Sequence, residues 1–116
     1  MSVISRGRTI ISIEKNKSVI KSEYEKDIVL DPVSGYTPVK DDLVALNTAD
    51  SKHCKYNTAT ATHEIEGVIM DYDSASKTAR ICVRGRIQKK DLGLTIASGK
   101  DRVAERAMRL LGLDLV

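Results

Sequence analysis

Two histidines and two cysteines are the residues of this sequence best suited to nucleophilic or metal chemistry: His53, Cys54, His63 and Cys82. His53 and Cys54 are adjacent, so on an extended strand their side chains point to opposite faces and do not hold one ion together. The two cysteines are far apart and form no CxxC pair. We therefore expect a surface His53, a partly exposed Cys54, His63 in a loop and Cys82 in a strand, with no metal ion or other cofactor.

Catalysis finds little support in the remaining residues. A cysteine or serine nucleophile needs a histidine base and a carboxylate that orients the base, and neither histidine lies in a recognisable motif. Cys82 falls in the middle of a predicted strand, where a small buried thiol is common for packing. Gly85, Gly93 and Gly99 are too widely spaced for a phosphate-binding loop. The sequence predicts a protein that is not an enzyme and has no small-molecule substrate.

Basic residues concentrate between residues 80 and 109, where nine lysines and arginines stand against three acids. The densest part is Arg80, Arg84, Arg86, Lys89 and Lys90, on one predicted strand and its exit. Such a track suits phosphates, but it lacks the aromatic side chains on which single-strand binders stack bases. The net charge of +3 is too small to indicate nucleic acid by itself. A small basic β-rich nucleic-acid-binding protein is the alternative function, and contact with an acidic protein surface explains the cluster equally well.

The elements that position these residues contain few aromatic side chains. The 116 residues include four tyrosines, no Trp and no Phe, so the core must come from aliphatic side chains, which bury less area each. A small domain of this kind has a modest stability margin, and oligomerisation is a usual remedy. No apolar run is long enough for a signal peptide or a membrane span. Two free thiols suit synthesis in a reducing cytosol.

Two parts of the chain differ in character, and the sequence predicts two regions. Residues 1–30 contain short β-branched runs at 9–13 and 18–20, separated by a polar stretch at 14–17 that is typical of a hairpin loop. This region is too polar to form a core, so we expect an extended arm that is ordered only by pairing with another sheet edge. Residues 31–38 hold both prolines and mark the boundary. Residues 31–116 form a β-rich domain.

Two patterns inside the domain predict definite elements. Residues 66–72 and 78–87 flank a polar turn, and Ala79, Ile81 and Val83 alternate with polar or small residues, which predicts a hairpin with one buried face. Residues 102–111 change to a helical period, with an apolar stripe and a capping Ser98 or Asp101 at the start. Gly112 is suited to end this helix, and residues 113–116 alternate as a last strand. The stripe is formed by Val103, Ala107, Leu110 and Leu111.

The order of these features resembles the head decoration proteins of lambda-type tailed bacteriophages, the capsid-stabilising protein D family. The residues that carry the resemblance are residues 66–69 (EGVI), the strand at 79–85 (ARICVRG) and the helix end at 110–113 (LLGL). Upstream, the arm, the proline-containing loop and the apolar run at 43–46 (LVAL) fit the same layout. The likeness spans residues 27 to 116. The sequence departs from the family in its basic stretch between residues 80 and 109 and in its two cysteines.

This resemblance implies a mainly β fold of the β-clip or bent-ribbon type, an incomplete barrel with one short C-terminal helix. It implies a homotrimer on the exterior of the phage head, a virion protein made in the bacterial host cytoplasm. Its partners would be the phage major capsid protein and itself, with no membrane. It would bind the expanded capsid at three-fold and quasi-three-fold sites and stabilise the shell against internal DNA pressure. The N-terminal arm would pair with capsid strands by β-augmentation.

Site residues follow from the resemblance. We expect the arm to contact the capsid through Arg8, Thr9, Ile10, Ile11, Ser12 and Ile13. We expect the subunits of the trimer to meet through Leu110, Leu113 and Leu115, whose alternative role is ordinary packing inside one chain.

Overall fold

The computed structural model describes residues 17–116, which form a mainly antiparallel sheet and one helix. The strands are β1 (Val19–Val29), β2 (Leu43–Asn47), β3 (Lys52–Lys55), β4 (His63–Asp73), β5 (Thr78–Ile87) and β6 (Leu113–Leu115). A 3-10 turn at Lys89–Asp91 and helix α1 (Asp101–Leu111) lie between β5 and β6. The sheet order is β1-β5-β4-β2-β3, with β6 parallel to β5, and the sheet is not closed. The predicted mainly β fold with one short C-terminal helix is confirmed.

The predicted hairpin is the centre of the sheet. β4 and β5 pair from Val68 opposite Cys82 to Asp73 opposite Thr78, while the first half of β4 pairs with β2 instead. β4 changes partner at Gly67, where a Cβ atom would lie 2.7 Å from the carbonyl oxygen of Cys82. A residue with a side chain would clash with β5 at this point. Where β4 leaves β5, the final strand β6 pairs with β5. The alternation at residues 113–116 predicted this last strand but not its partner.

Both faces of the central sheet are buried, which explains why neighbouring residues in one strand are both core residues. Each strand places consecutive side chains on opposite faces. One cluster lies under α1 and β6, and the other lies under the segment that follows β1. The first cluster includes Leu43, Val68, Cys82, Met108 and Leu113, and the second consists of Leu30, Val44, Ile69, Ala79 and Ile81.

The predicted boundary between arm and domain at residue 30 is wrong. β1 runs from Val19 to Val29 and pairs with β5 along its length, so these residues belong to the sheet. Most side chains of β1 are exposed, and the strand is held by backbone hydrogen bonds, which its polar sequence does not prevent. The remainder of the predicted arm, including the first strand of the predicted N-terminal hairpin, lies outside the described residues.

Helix α1 faces the sheet with a different side from the predicted stripe. It buries Ala104 and Met108, whereas Leu110 is 79% exposed and Val103 is 41% exposed. The unbranched Met108 side chain packs in the core, and Val103 and Leu110 lie on the outer side of the helix. The predicted side-chain cap is also wrong, because Lys100 precedes the helix without a side-chain hydrogen bond. Gly112 ends the helix as predicted, with a φ of 122°.

Candidate functional site

A partly exposed apolar surface lies where the C-terminal end of α1 meets β1 and β4: Tyr24 and Leu111 are exposed, and Ile65 is half-buried. Leu111, Ile65 and Val83 line a hollow together with Tyr24, whose side chain is 58% exposed. Leu111 and Ile65 also line a second hollow, with Tyr56 and Ala107. We call the residues Tyr24, Ile65 and Leu111 the Leu111 surface. Its rim is charged and carries both signs: Glu23, Lys26, Glu66 and Arg84.

The local sequence explains why this surface is not part of the core. Met108 and Leu113 point into the cluster beneath the helix, and Gly112 turns the chain sharply between them. Leu110 and Leu111 therefore fall on the outer side of the last helical turn. Burying one leucine side chain contributes about 1.5–3 kcal/mol, and contiguous exposed apolar patches mark interaction sites more often than isolated residues do. The arrangement is suited to holding another macromolecule.

A second exposed face lies on α1 next to the Leu111 surface. Arg102, Arg106 and Arg109 line a shallow hollow with Leu110 and Glu105. Val103 and Leu110 are seven residues apart, so they lie on one line along the helix beside the arginines. We call Arg102, Val103, Arg106, Arg109 and Leu110 the arginine face.

Cys54 and His63 are close together, although sequence reasoning treated them separately. The Sγ atom of Cys54 lies 3.3 Å from Nε2 of His63. The backbone N–H of Asn57 donates to Nδ1 of the same ring at 3.1 Å, so Nδ1 is unprotonated and Nε2 carries the proton. The ring nitrogen that faces the thiol is therefore a donor and is not placed to act as a base.

The ionisation of this pair is consistent with a packing role. Burial, with a smaller contribution from the charge of Asp50, raises the pKa of the Cys54 thiol. Burial lowers the pKa of His63. Both shifts favour the neutral forms and oppose a thiolate–imidazolium pair.

The other predicted chemical residues are structural. Cys82 is fully buried; its thiol donates to the carbonyl oxygen of Arg84 at 3.2 Å, and burial raises its pKa. The prediction that His53 lies at the surface is wrong, since its side chain is buried beside the segment after β1. The Nδ1 atom of His53 accepts from the Asp31 N–H at 2.9 Å, and Nε2 lies 3.2 Å from Glu66. Within residues 17–116, no group of three or more His, Cys, Asp or Glu side chains is arranged to hold a metal ion.

The basic cluster of β5 is partly neutralised inside the chain. The Nε atom of Arg80 lies 3.1 Å from Asp27, and Glu25 lies 4.0 Å from the same guanidinium. Lys89 lies 3.3 Å from Glu105 of α1. A phosphate track along this strand would have to compete with these acids.

The residues predicted to contact other subunits or the capsid differ in burial and position. Leu110 is exposed, but Leu113 is 1% exposed and packs in its own chain's core, so it is not a subunit contact. Leu115 is half-buried against the same core cluster, which makes intrachain packing its main role. Arg8, Thr9, Ile10, Ile11, Ser12 and Ile13 lie outside the described residues. Sequence reasoning missed Tyr24, which is exposed on β1, and Ile65, which is half-buried on β4.

Comparison of the chain with protein-family models, curated proteins and solved structures finds no match. No helix within residues 17–116 is long and apolar enough to cross a membrane.

Proposed function

We propose that this chain is a phage head decoration protein that binds the outside of an expanded capsid as a trimer and stabilises the shell against internal DNA pressure. The observation that carries the proposal is the Leu111 surface. A subunit that acts alone in water gains nothing from exposing Tyr24 and Leu111 on one patch, whereas a subunit of an assembly buries them against its neighbours. The mainly β fold with one short C-terminal helix agrees with what the resemblance implies.

The capsid contact in this proposal is the segment of residues 8–13. The chain enters the sheet at a fixed point, because the carboxylate of Asp41 accepts hydrogen bonds from the backbone N–H groups of Lys17 and Ser18 at 3.4 and 2.8 Å. A segment attached there adds backbone hydrogen bonds when it pairs with a capsid strand. Three such segments on one trimer act at high effective concentration, so the trimer binds the capsid tightly although each single segment binds it weakly.

The test is binding of the full-length chain to expanded, DNA-free shells assembled from the major capsid protein encoded beside its gene. Ile11→Pro removes a backbone donor in the segment and opposes strand pairing, so we expect it to abolish coating of the shells. Ser5→Pro introduces the same residue outside the contact and is the matched control. Light scattering should give a mass near three times 12.8 kDa for both variants. Shells that stay bare with the wild-type chain would contradict the proposal.

Nucleic-acid binding is the second candidate, and one observation weighs against it. Arg80 and Lys89, two members of the basic cluster, have acidic partners within the chain. The remaining members, Arg84, Arg86 and Lys90, are exposed. If they form a phosphate track, charge reversal at Arg84 and Arg86 abolishes binding to duplex DNA, and the affinity falls steeply with salt.

A further inference from the structure

The arginine face carries three positive charges without a partner in the described part of the chain. Arg102, Arg106 and Arg109 are spaced at i, i+4 and i+7, which places them on one stripe of α1. No ion pair joins them to an acid within residues 17–116; Glu105, which lies between Arg102 and Arg106 in the sequence, pairs with Lys89 at 3.3 Å. Like charges at this spacing destabilise a helix by about 0.2–0.5 kcal/mol per pair. The stripe therefore gives the free subunit no stability.

Aliphatic side chains lie directly beside the arginines. Leu110 is 79% exposed and contributes to the same hollow as the three guanidinium groups, and Val103 lies next to them on the adjacent line of the helix. A phosphate backbone pairs with arginine but does not remove an aliphatic side chain from water. A protein surface does both, and arginine beside apolar residues is typical of the buried part of protein interfaces.

The charge of the face argues against a second copy of this chain as the occupant. The chain itself is basic, with 19 lysines and arginines against 16 acids. Copies that met around a symmetry axis through α1 would bring several arginine stripes together, which costs free energy. A surface of opposite charge gains from the same contact.

We propose that the arginine face docks on an acidic protein surface that has an apolar recess for Leu110. This inference rests on the proposed function and deepens it, because the capsid subunit is then the protein that supplies the acids. The contact is separate from that of residues 8–13 and assigns Leu110 to the capsid rather than to the trimer. The trimer contact is left to the Leu111 surface.

The test compares full-length variants on the same expanded shells. Arg102→Gln, Arg106→Gln and Arg109→Gln together remove the charge of the face, and Leu110→Ser removes its apolar contact. The control is Lys21→Gln, Lys40→Gln and Lys77→Gln, which removes the same charge at three exposed positions outside the arginine face and the basic cluster. We expect each face variant to bind at least about ten-fold more weakly, since central arginines dominate interfaces, and the control to stay within about two-fold of the wild type.

The outcomes separate the two proposals. If the wild type coats shells and both face variants coat them equally well, the arginine face is not a docking surface and the proposed function stands. If the wild type leaves shells bare, the proposed function fails and this inference fails with it. A 20-base-pair duplex (about two helical turns) is the second probe. Duplex binding that the triple glutamine variant loses, with Leu110→Ser unchanged, would identify a phosphate site instead and overturn the inference.

Discussion

The Nε2 atom of His63 lies 3.3 Å from the Sγ atom of Cys54, while the other ring nitrogen, Nδ1, accepts a hydrogen bond from the backbone N–H of Asn57. The distance is that of a catalytic dyad, but the proton is on the wrong nitrogen for a base. Protonating the ring fully would place Nδ1–H against the Asn57 donor, so the thiolate–imidazolium form is disfavoured as well. The pair is a polar contact between β3 and β4 across β2.

This geometry predicts that the Cys54 thiol reacts slowly with alkylating agents. Because burial raises the pKa of Cys54, we expect iodoacetamide to alkylate it at pH 7.5 more slowly in the native chain than in the same chain unfolded in urea. Peptide mass spectrometry resolves Cys54 from Cys82. His63→Ala should not slow the native reaction. A native thiol that reacts faster than the unfolded one, and loses that advantage in His63→Ala, would indicate an activated nucleophile and an enzyme.

The lowered pKa of His63 predicts a loss of stability in mild acid. The unfolded ring has the ordinary value of 6.5 and the folded ring a lower one, so the unfolded chain binds the proton first as the pH falls. The contribution of His63 is fully present above about pH 6.5 and decreases as the pH drops from there through the folded-state value. In urea denaturation, the free energy of unfolding of the wild type should decrease more between pH 7.5 and pH 5 than that of the His63→Gln variant. Equal losses in both chains would show that His63 does not titrate on unfolding.

Sequence reasoning found the elements whose pattern repeats and missed those whose placement depends on the whole sheet. The alternation in β5 and the turn after β4 predicted the central hairpin correctly. β1 was assigned to an arm because its side chains are polar, but an edge strand needs few buried side chains once its backbone is paired. The facing of α1 was wrong because Met108 was not counted among the apolar positions.

In the candidate site, too, residues within one element were predicted and residues brought together from distant elements were missed. Leu110 and Leu113 were both named as trimer contacts with the resemblance; Leu110 is exposed and Leu113 is buried, and the contact of Leu110 stays a prediction. Tyr24 and Ile65 are 41 positions apart in the sequence, and they share a surface only because β1 and β4 both approach the end of α1. The Cys54–His63 pair spans a third strand, so no local spacing indicates it.

A buried carboxylate gives a further test of the packing beside β2. Asp42 accepts hydrogen bonds from the hydroxyl of Tyr36 at 2.8 Å and from the N–H of Val39 at 3.3 Å. Burial and the bond to Asp42 raise the pKa of Tyr36. Tyr36→Phe should lower the free energy of unfolding by about 1–3 kcal/mol, because the carboxylate loses a partner in a site with little water. Tyr72→Phe, half-buried in the same cluster, is the control and should change it by less than about 0.5 kcal/mol.

Substitution by alanine should destabilise the chain at Leu113 and leave its stability nearly unchanged at Leu110, although the two residues are only three positions apart. Leu113 is fully packed under α1, so Leu113→Ala leaves a cavity and should lower the free energy of unfolding by about 2–5 kcal/mol. Leu110 contacts mainly solvent, so Leu110→Ala should change it by less than about 0.5 kcal/mol. Urea denaturation at several protein concentrations separates folding from association, because a change in subunit contacts alters the concentration dependence and a change in the core does not. If Leu110→Ala altered that dependence, Leu110 would be a subunit contact and the docking inference would be overturned. If instead Leu110→Ala lowered the free energy of unfolding at every protein concentration and Leu113→Ala left it unchanged, α1 would have to pack with its other side inward, and the arginine face would be buried.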